Sequence, residues 1–334
     1  MAVDPTKVRE LNVATGERAL LACRFDPKGE SVVGGGMNTK LMRCALAEKK
    51  FGKPAHIDAH KSWVAALVYS PDGSRLFSAD YAGKLRCSDP RTDDAKLIWG
   101  QDAHAGWIRA LAVSPDGKLV ASGGNDKLVR VWNTSDGKLV RTLAGHADHV
   151  YSLAFHPRTG RLVSADLKGA LKEWDIGTAL DIRNSTLKEF FVQQQELRLG
   201  GVRALAFDAA GKHLVCGGMS GFGSIGDGIG SPTIVVVDWE TGEAKQTGLP
   251  KDSARTFVTG AAFHSDGFIV AATGGLDRGF LLFWKLGQKE KEAFFQFKLP
   301  ESAWGMDFYP AKNLIATAHH DTRLRLYEIP PAGG

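Results

Sequence analysis

An alternating apolar segment that runs into a tight turn recurs seven times along this chain. No other feature constrains the fold as much. The copies are LACRFDPKG (21–29), AALVYSPDG (65–73), RALAVSPDG (109–117), YSLAFHPRTG (151–160), RALAFDAAG (203–211), GAAFHSDG (260–267) and GMDFYPAKN (305–313). The residues just before the proline position are Asp26, Ser70, Ser114, His156, Asp208, His264 and Tyr309, spaced 44, 44, 42, 52, 56 and 45 residues apart. A repeat of about 44 residues has the length of a propeller blade. The two long intervals mark insertions near 178–200 and 219–232.

Each unit reads as short strands punctuated by turns. In the third unit IRALAV alternates with period two, SPDG turns the chain, and KLVASGG follows. NDK turns it again before LVRVWN, and KLVRTLAG follows Ser135-Asp136-Gly137. Branched aliphatic residues fill the strands, and Gly, Asp, Asn and Pro fill the turns. Glycine supplies 39 of 334 residues, about 12% against a usual ~7%, as a chain of many tight turns requires. No helical period is sustained, and only residues 178–195 are ambiguous. Phe190, Phe191 and Val192 read there as a fourth strand.

At these positions the resemblance becomes specific. The third unit, from His104 through Trp132, resembles a WD40 repeat. It has the opening His104, the mid-strand Ser122, the turn Asp126 and the strand-ending Trp132. The fourth unit keeps His146, Ser164 and Trp174-Asp175, with Lys168 where the turn aspartate belongs. The second keeps His60 and Ser78, with Ser88 in the tryptophan position. The seventh has Thr317, Asp321 and Tyr327. Units five and six keep only Trp239 and Trp284, and unit one is the most degenerate. So few intact quartets are similar to those of bacterial members of the family. The resemblance implies an all-β fold, a seven-bladed β-propeller forming one domain over residues 1–334. It also implies that an N-terminal strand, here Lys7 to Asn12, completes the last blade. Closure of that kind removes sheet edges.

Several motifs that suggest chemistry read better as scaffold. His104, Ser122 and Asp126 are the residue types of a hydrolase triad. A mid-strand Ser122 instead relays hydrogen bonds from the Trp132 indole to His104, with Asp126 accepting from the imidazole. The same structural role falls to His146, Ser164 and Trp174. Gly221 to Gly226 matches G-x-G-x-x-G, but a glycine run and then a strand follow it, where a dinucleotide site needs a helix. Asp80, Asp126, Asp166, Asp277 and Asp321 lie one per unit and do not converge as calcium ligands would. His319, His320 and Asp321 are adjacent on a strand and point in opposite directions. No metal, cofactor or catalytic residue is expected.

The residues beside each first strand are of a different kind. Trp63, Trp107, His149 and Phe257 precede it, and Arg109, Tyr151, Arg203 and Trp304 follow one step into it. Asn125 and His320, each just before a turn aspartate, belong to the same face. In the family that face surrounds the central channel, where partners dock. Trp, Tyr and Arg are also the residues that dominate binding interfaces. The resemblance thus implies a non-catalytic scaffold for a protein or peptide. The alternative is a small molecule or metal in the channel, with an enzymatic role. The column Leu21, Ala65, Arg109, Tyr151, Arg203, Thr259 and Trp304 offers that alternative no carboxylate.

Bulk properties exclude other classes. The net charge of +5 is spread along the chain with no basic block, which disfavours nucleic acid. No apolar run approaches the ~20 residues of a membrane helix. Met1 to Glu10 lacks the apolar core of a secretory signal. Cys23, Cys44, Cys87 and Cys216 are too scattered for a zinc or redox motif and read as free thiols in a cytoplasmic, monomeric ring.

Overall fold

The computed structural model describes residues 2–194, 197–220, 230–247, 255–276, 278–287 and 293–333. Seven antiparallel sheets stand around a central axis as the blades of a propeller. The third is representative, with strands Ile108–Val113, Leu119–Gly124, Val129–Asn133 and Leu139–Leu143 in sequential order. The first strand of each blade touches the first strands of its two neighbours, and the seventh touches the first, so the ring is closed. Among the described residues no helix is long and apolar enough to cross a membrane.

The N-terminal strand closes the ring, displaced slightly from its expected place. Arg9–Thr15, not Lys7 to Asn12, pairs with Arg323–Glu328 as the outer strand of the seventh blade, from Arg9 opposite Glu328 to Thr15 opposite Arg323. Arg9 and Lys49 both pair with Glu328 there.

The core lies between blades rather than at the centre. Seven apolar clusters fill the seven interblade gaps. The inner strands are therefore covered on both faces, and Leu76–Asp80 and Leu162–Asp166 are buried throughout. The rim strands face water, and most of Leu180–Thr186 is exposed. The four cysteines are buried free thiols, and burial pushes Cys23, Cys44 and Cys87 up to about 12.

The turn after each first strand explains the repeat's final residue. Gly29, Gly73, Gly117, Gly160, Gly211 and Gly267 all have φ between 65° and 79°, and Asn313 takes φ 54° in the seventh blade. This left-handed region is open to glycine and tolerated by asparagine. Ser70 and Ser114 tie the turn further by donating to Asp72 and Asp116, at 2.6 Å each.

Two expectations fail. The outer strand of the fourth blade is Leu180–Thr186 and not Phe190 to Val192. Lys188–Phe190 is a single 3-10 turn, and Phe191–Gln194 pairs with Leu197–Gly200 as a separate hairpin. Trp239 is also out of place. Cys216 lies opposite Val235, so Val237 takes the position that Trp132 and Trp174 hold, and Trp239 lies two residues beyond. Trp284 is in that position. The G-x-G-x-x-G segment, most of the 219–232 insertion and Asp277 lie outside the described residues.

Candidate docking surface at the channel mouth

A β-bulge in every blade builds the mouth of the channel. In each first strand one residue is skipped in the pairing with the second: between Leu20 and Ala22, Val64 and Ala66, Ile108 and Ala110, and Val150 and Ser152. The same skip falls between Val202 and Ala204, Val258 and Gly260, and Ala303 and Gly305. The skipped residues are Leu21, Ala65, Arg109, Tyr151, Arg203, Thr259 and Trp304, the column expected to face the channel. All seven line a central cavity of about 370 Å³. A bulge re-aims a side chain that regular pleating would send into the interblade core. Arg109 therefore points into the channel while Ile108 and Ala110 pack between blades.

The aromatic and arginine residues form one connected band. Trp63 meets the Tyr81 ring at 5.7 Å, and Tyr81 stacks on Trp107 at 4.1 Å and 5°. The Arg109 guanidinium lies 4.3 Å from the Trp107 ring centre and 4.9 Å from that of Tyr151. Arg203 lies 5.0 Å from Tyr151 and 4.4 Å from Phe257. Phe257 meets Trp304 edge-on at 5.7 Å, and Trp304 meets His320 at 5.8 Å. The band thus runs from the second blade to the seventh, and the first blade, with Leu21, leaves a gap. Trp63, Trp107 and Trp304 remain 43%, 40% and 37% exposed, unusual values for three tryptophans on one face. His149 is half-buried on this face and joins none of these ring contacts. The Asn125 backbone N–H bonds to the Trp107 carbonyl, while its side-chain Oδ1 is buried without a protein partner.

Tyr81 was not anticipated. It occupies the same place as Asn125, three residues after the strand serine. Its backbone N–H bonds to Trp63 as that of Asn125 does to Trp107. It does not precede a turn aspartate, because the second blade carries its aspartate at Asp80. Counting from Ser78 would have found it.

The His–Ser networks hold this face from beneath. In the third blade the Trp132 indole donates to Ser122 (3.0 Å), Ser122 meets His104 Nε2 (2.8 Å), and His104 Nδ1 meets Asp126 (2.7 Å). Burial alone would raise the Asp126 pKa, but hydrogen bonds from His104 and Arg130 outweigh it and the carboxyl ends far below its ordinary range. Ser122 is fully buried, so the arrangement offers no exposed nucleophile. The fourth blade makes the same relay through Trp174, Ser164 and His146. Its aspartate is not missing at Lys168. Asp166, two residues earlier, bonds to His146 at 3.0 Å and also caps the turn through the N–H groups of Lys168 and Ala170. Asp80 does both for His60 in the second blade. In the third blade Gly124 stands at that place, where a Cβ would lie 2.4 Å from His104 Nδ1. In the seventh, His319 replaces the absent opening histidine. Its Nδ1 donates to the Ser302 carbonyl (3.1 Å), so Nε2 accepts from Thr317 (2.6 Å).

The channel wall does contain a carboxylate, outside the expected column. Asp307 lines the cavity and accepts from the Phe25 N–H at 2.8 Å. Burial raises its pKa against the opposing pull of Arg24. Among the described residues no group of three or more His, Cys, Asp or Glu is placed to hold a metal.

Comparison with known proteins agrees with this architecture. The family model described as WD domain, G-beta repeat matches residues 52–89, 95–133 and 137–175. Each match takes the outer strand of one blade and the three inner strands of the next, so sequence units interlock successive blades. The three matches contain His60, His104 and His146, the blades with an opening histidine. A nuclear distribution protein nudF of Aspergillus niger is 26% identical over 148 residues, 44% of this chain and 28% of the relative. A guanine nucleotide-binding protein subunit beta of Zea mays is 26% identical over 215 residues, 60% of this chain and 55% of the relative. A nuclear distribution protein PAC1 of Coprinopsis cinerea is 53% identical over 38 residues, 11% of this chain and 9% of the relative. The matches span from under a tenth to just over half of these relatives. All three come from fungi or a plant, which lends no support to a bacterial resemblance.

Proposed function

Because the chain is a seven-bladed propeller with three units that match the WD40 repeat, we propose that it is a non-catalytic scaffold that docks a protein or peptide on the channel mouth. The observation that carries the reading is the connected band of Trp63, Tyr81, Trp107, Arg109, Tyr151, Arg203, Phe257 and Trp304. Three of its tryptophans are more than a third exposed. Large rigid rings lose little entropy on binding, and arginine adds directional donors, so such residues supply most of the energy of an interface. The serines that could suggest hydrolysis are buried inside the blades and hold the histidines in place. The Zea mays relative is by its name a subunit, which suits a protein that works in an assembly. Four buried, unpaired thiols suit a reducing, cytoplasmic setting.

The test is quantitative capture from lysate of the source cells. Wild type is compared with Trp63→Ala/Trp107→Ala/Arg109→Ala, once the variant melts with wild type. Proteins captured by wild type and lost by the variant are the expected result. Identical capture by both would remove the channel mouth from the account.

A further inference from the structure

Among the described residues Arg109 and Arg203 face no carboxylate counter-charge. We propose that they form a carboxylate-binding pocket at the channel mouth, which receives an Asp or Glu side chain of an acidic peptide. The proposal rests on the docking function above and names the chemistry of the occupant.

Both side chains sit on bulged positions that project into the cavity. Each lies about 5 Å from the Tyr151 ring centre, on distances of 4.9 and 5.0 Å. The two guanidinium carbons are therefore no more than about 10 Å apart, within a Debye length at 0.1 M salt. Among the described residues neither pairs with a carboxylate. The surrounding rings attract a guanidinium through their faces but accept nothing from the N–H groups in its plane. Arg109 spends one N–H on the Tyr81 hydroxyl at 3.0 Å. Arg203 finds no acceptor among the described residues, and the Nε atoms of both arginines are buried without a partner. Burial, and secondarily the neighbouring Arg109, disfavour the charged form of Arg203 and lower its pKa.

Arg24, lower in the same channel, shows the contrast. It spends its N–H groups on the carbonyls of Cys23 and Met306, at 2.9 and 3.1 Å, beside Asp307. Among the described residues Arg109 has only the Tyr81 hydroxyl and Arg203 has no acceptor. An oxyanion that reaches the free donors beside the Tyr151 ring would satisfy them and offset the repulsion of two like charges. The flanking exposed rings of Trp107 and Trp304 would cover the apolar parts of the same peptide. A carboxylate suits the site better than a small free anion, because its chain also covers those rings.

The experiment uses the full chain and fluorescently labelled, end-blocked hexapeptide pools that differ at one fixed position, Glu, Gln or phosphoserine. The Glu pool is expected to bind about tenfold more tightly than the Gln pool, the scale of one charge-assisted hydrogen-bonded pair. That advantage should shrink with added salt and vanish in Arg203→Gln and in Arg109→Gln. Equal binding of the Glu and Gln pools, or a Glu preference that survives both substitutions, overturns the pocket and leaves peptide docking intact. A phosphoserine pool that outbinds the Glu pool overturns the carboxylate assignment. Acetate and inorganic phosphate, titrated against tryptophan fluorescence, separate the two readings. A saturable response lost in Arg203→Gln, with no pool bound, keeps an anion site and refutes peptide docking. No response to pools or to anions refutes both. Should the variants melt below wild type, competition decides on wild type alone. Acetate must displace the Glu pool and not the Gln pool.

Discussion

The buried relay in the fourth blade sets a measurable stake on one hydroxyl. Ser164 accepts from the Trp174 indole at 2.7 Å and meets His146 Nε2 at 2.6 Å. All three side chains are buried, at 0%, 1% and 7% exposure. Ser164→Ala strands an indole N–H and an imidazole nitrogen together. Each orphaned buried group costs about 1–3 kcal/mol, so the loss should be about 2–6 kcal/mol. In the second blade Ser88 replaces the tryptophan, and among the described residues the Ser78 hydroxyl meets only His60, at 2.8 Å. Ser78→Ala strands one group and should cost about half as much. Ser135→Ala, in an exposed turn, is the control and should fall within about 0.5 kcal/mol of wild type. Equilibrium urea unfolding of the three variants, with unchanged m-values, measures the differences. Faster exchange of the Trp174 indole proton would locate the damage. A Ser164→Ala variant as stable as Ser78→Ala would refute the relay as the source of stability.

Other outcomes follow from the same structure. Deleting residues 1–15 removes the outer strand of the seventh blade, with the Arg9 and Tyr327–Glu10 contacts, and exposes a sheet edge. The melting temperature should drop by many degrees and the ring should self-associate in light scattering. His319 is buried and its pKa falls to about 4 from 6.5, chiefly through burial and secondarily through Arg325. The unfolded chain therefore takes its proton first as pH falls. Stability should decline from about pH 6.5 towards pH 4, by on the order of 3 kcal/mol in full, and His319→Asn should flatten the slope. Burial would raise Asp80 and Asp166, but the hydrogen bond and charge of each histidine partner, together with the backbone N–H groups of the turn, outweigh it and shift both down. Their contribution holds above the ordinary carboxylate pKa and is lost as pH falls below it. Asp166→Asn should reduce the steepness of acid unfolding. Trp63→Ala and Trp107→Ala remove partly exposed rings and should shift the melting temperature by only a few degrees.

Blade number, turn geometry and channel-facing column could be read from the chain because each rests on a periodic requirement. Gly73 and its equivalents must reach positive φ, and the apolar alternation of 65–69 must face two neighbouring blades. What escaped was aperiodic or faced water. Leu180–Thr186 is a rim strand with little burial to select an alternation, so the apolar Phe190 to Val192 drew the assignment instead. Asp166 escaped because a carboxylate can reach the histidine from two backbone positions, and the third blade uses the later one. The bulges themselves left no mark, since one skipped residue looks the same in sequence as regular pleating. They nevertheless decide the site. Without them Arg109, Arg203 and Trp304 would point into the interblade packing.

The central claim is that this bulge-built band is the docking surface. The most direct measurement is hydroxyl-radical footprinting of the propeller alone and with its purified captured partner. Loss of labelling at Trp63, Tyr81, Trp107 and Trp304, with the rim strand Leu180–Thr186 labelled as before, is the expected result. Protection of the rim, with those four rings as reactive as in the free protein, would contradict the account.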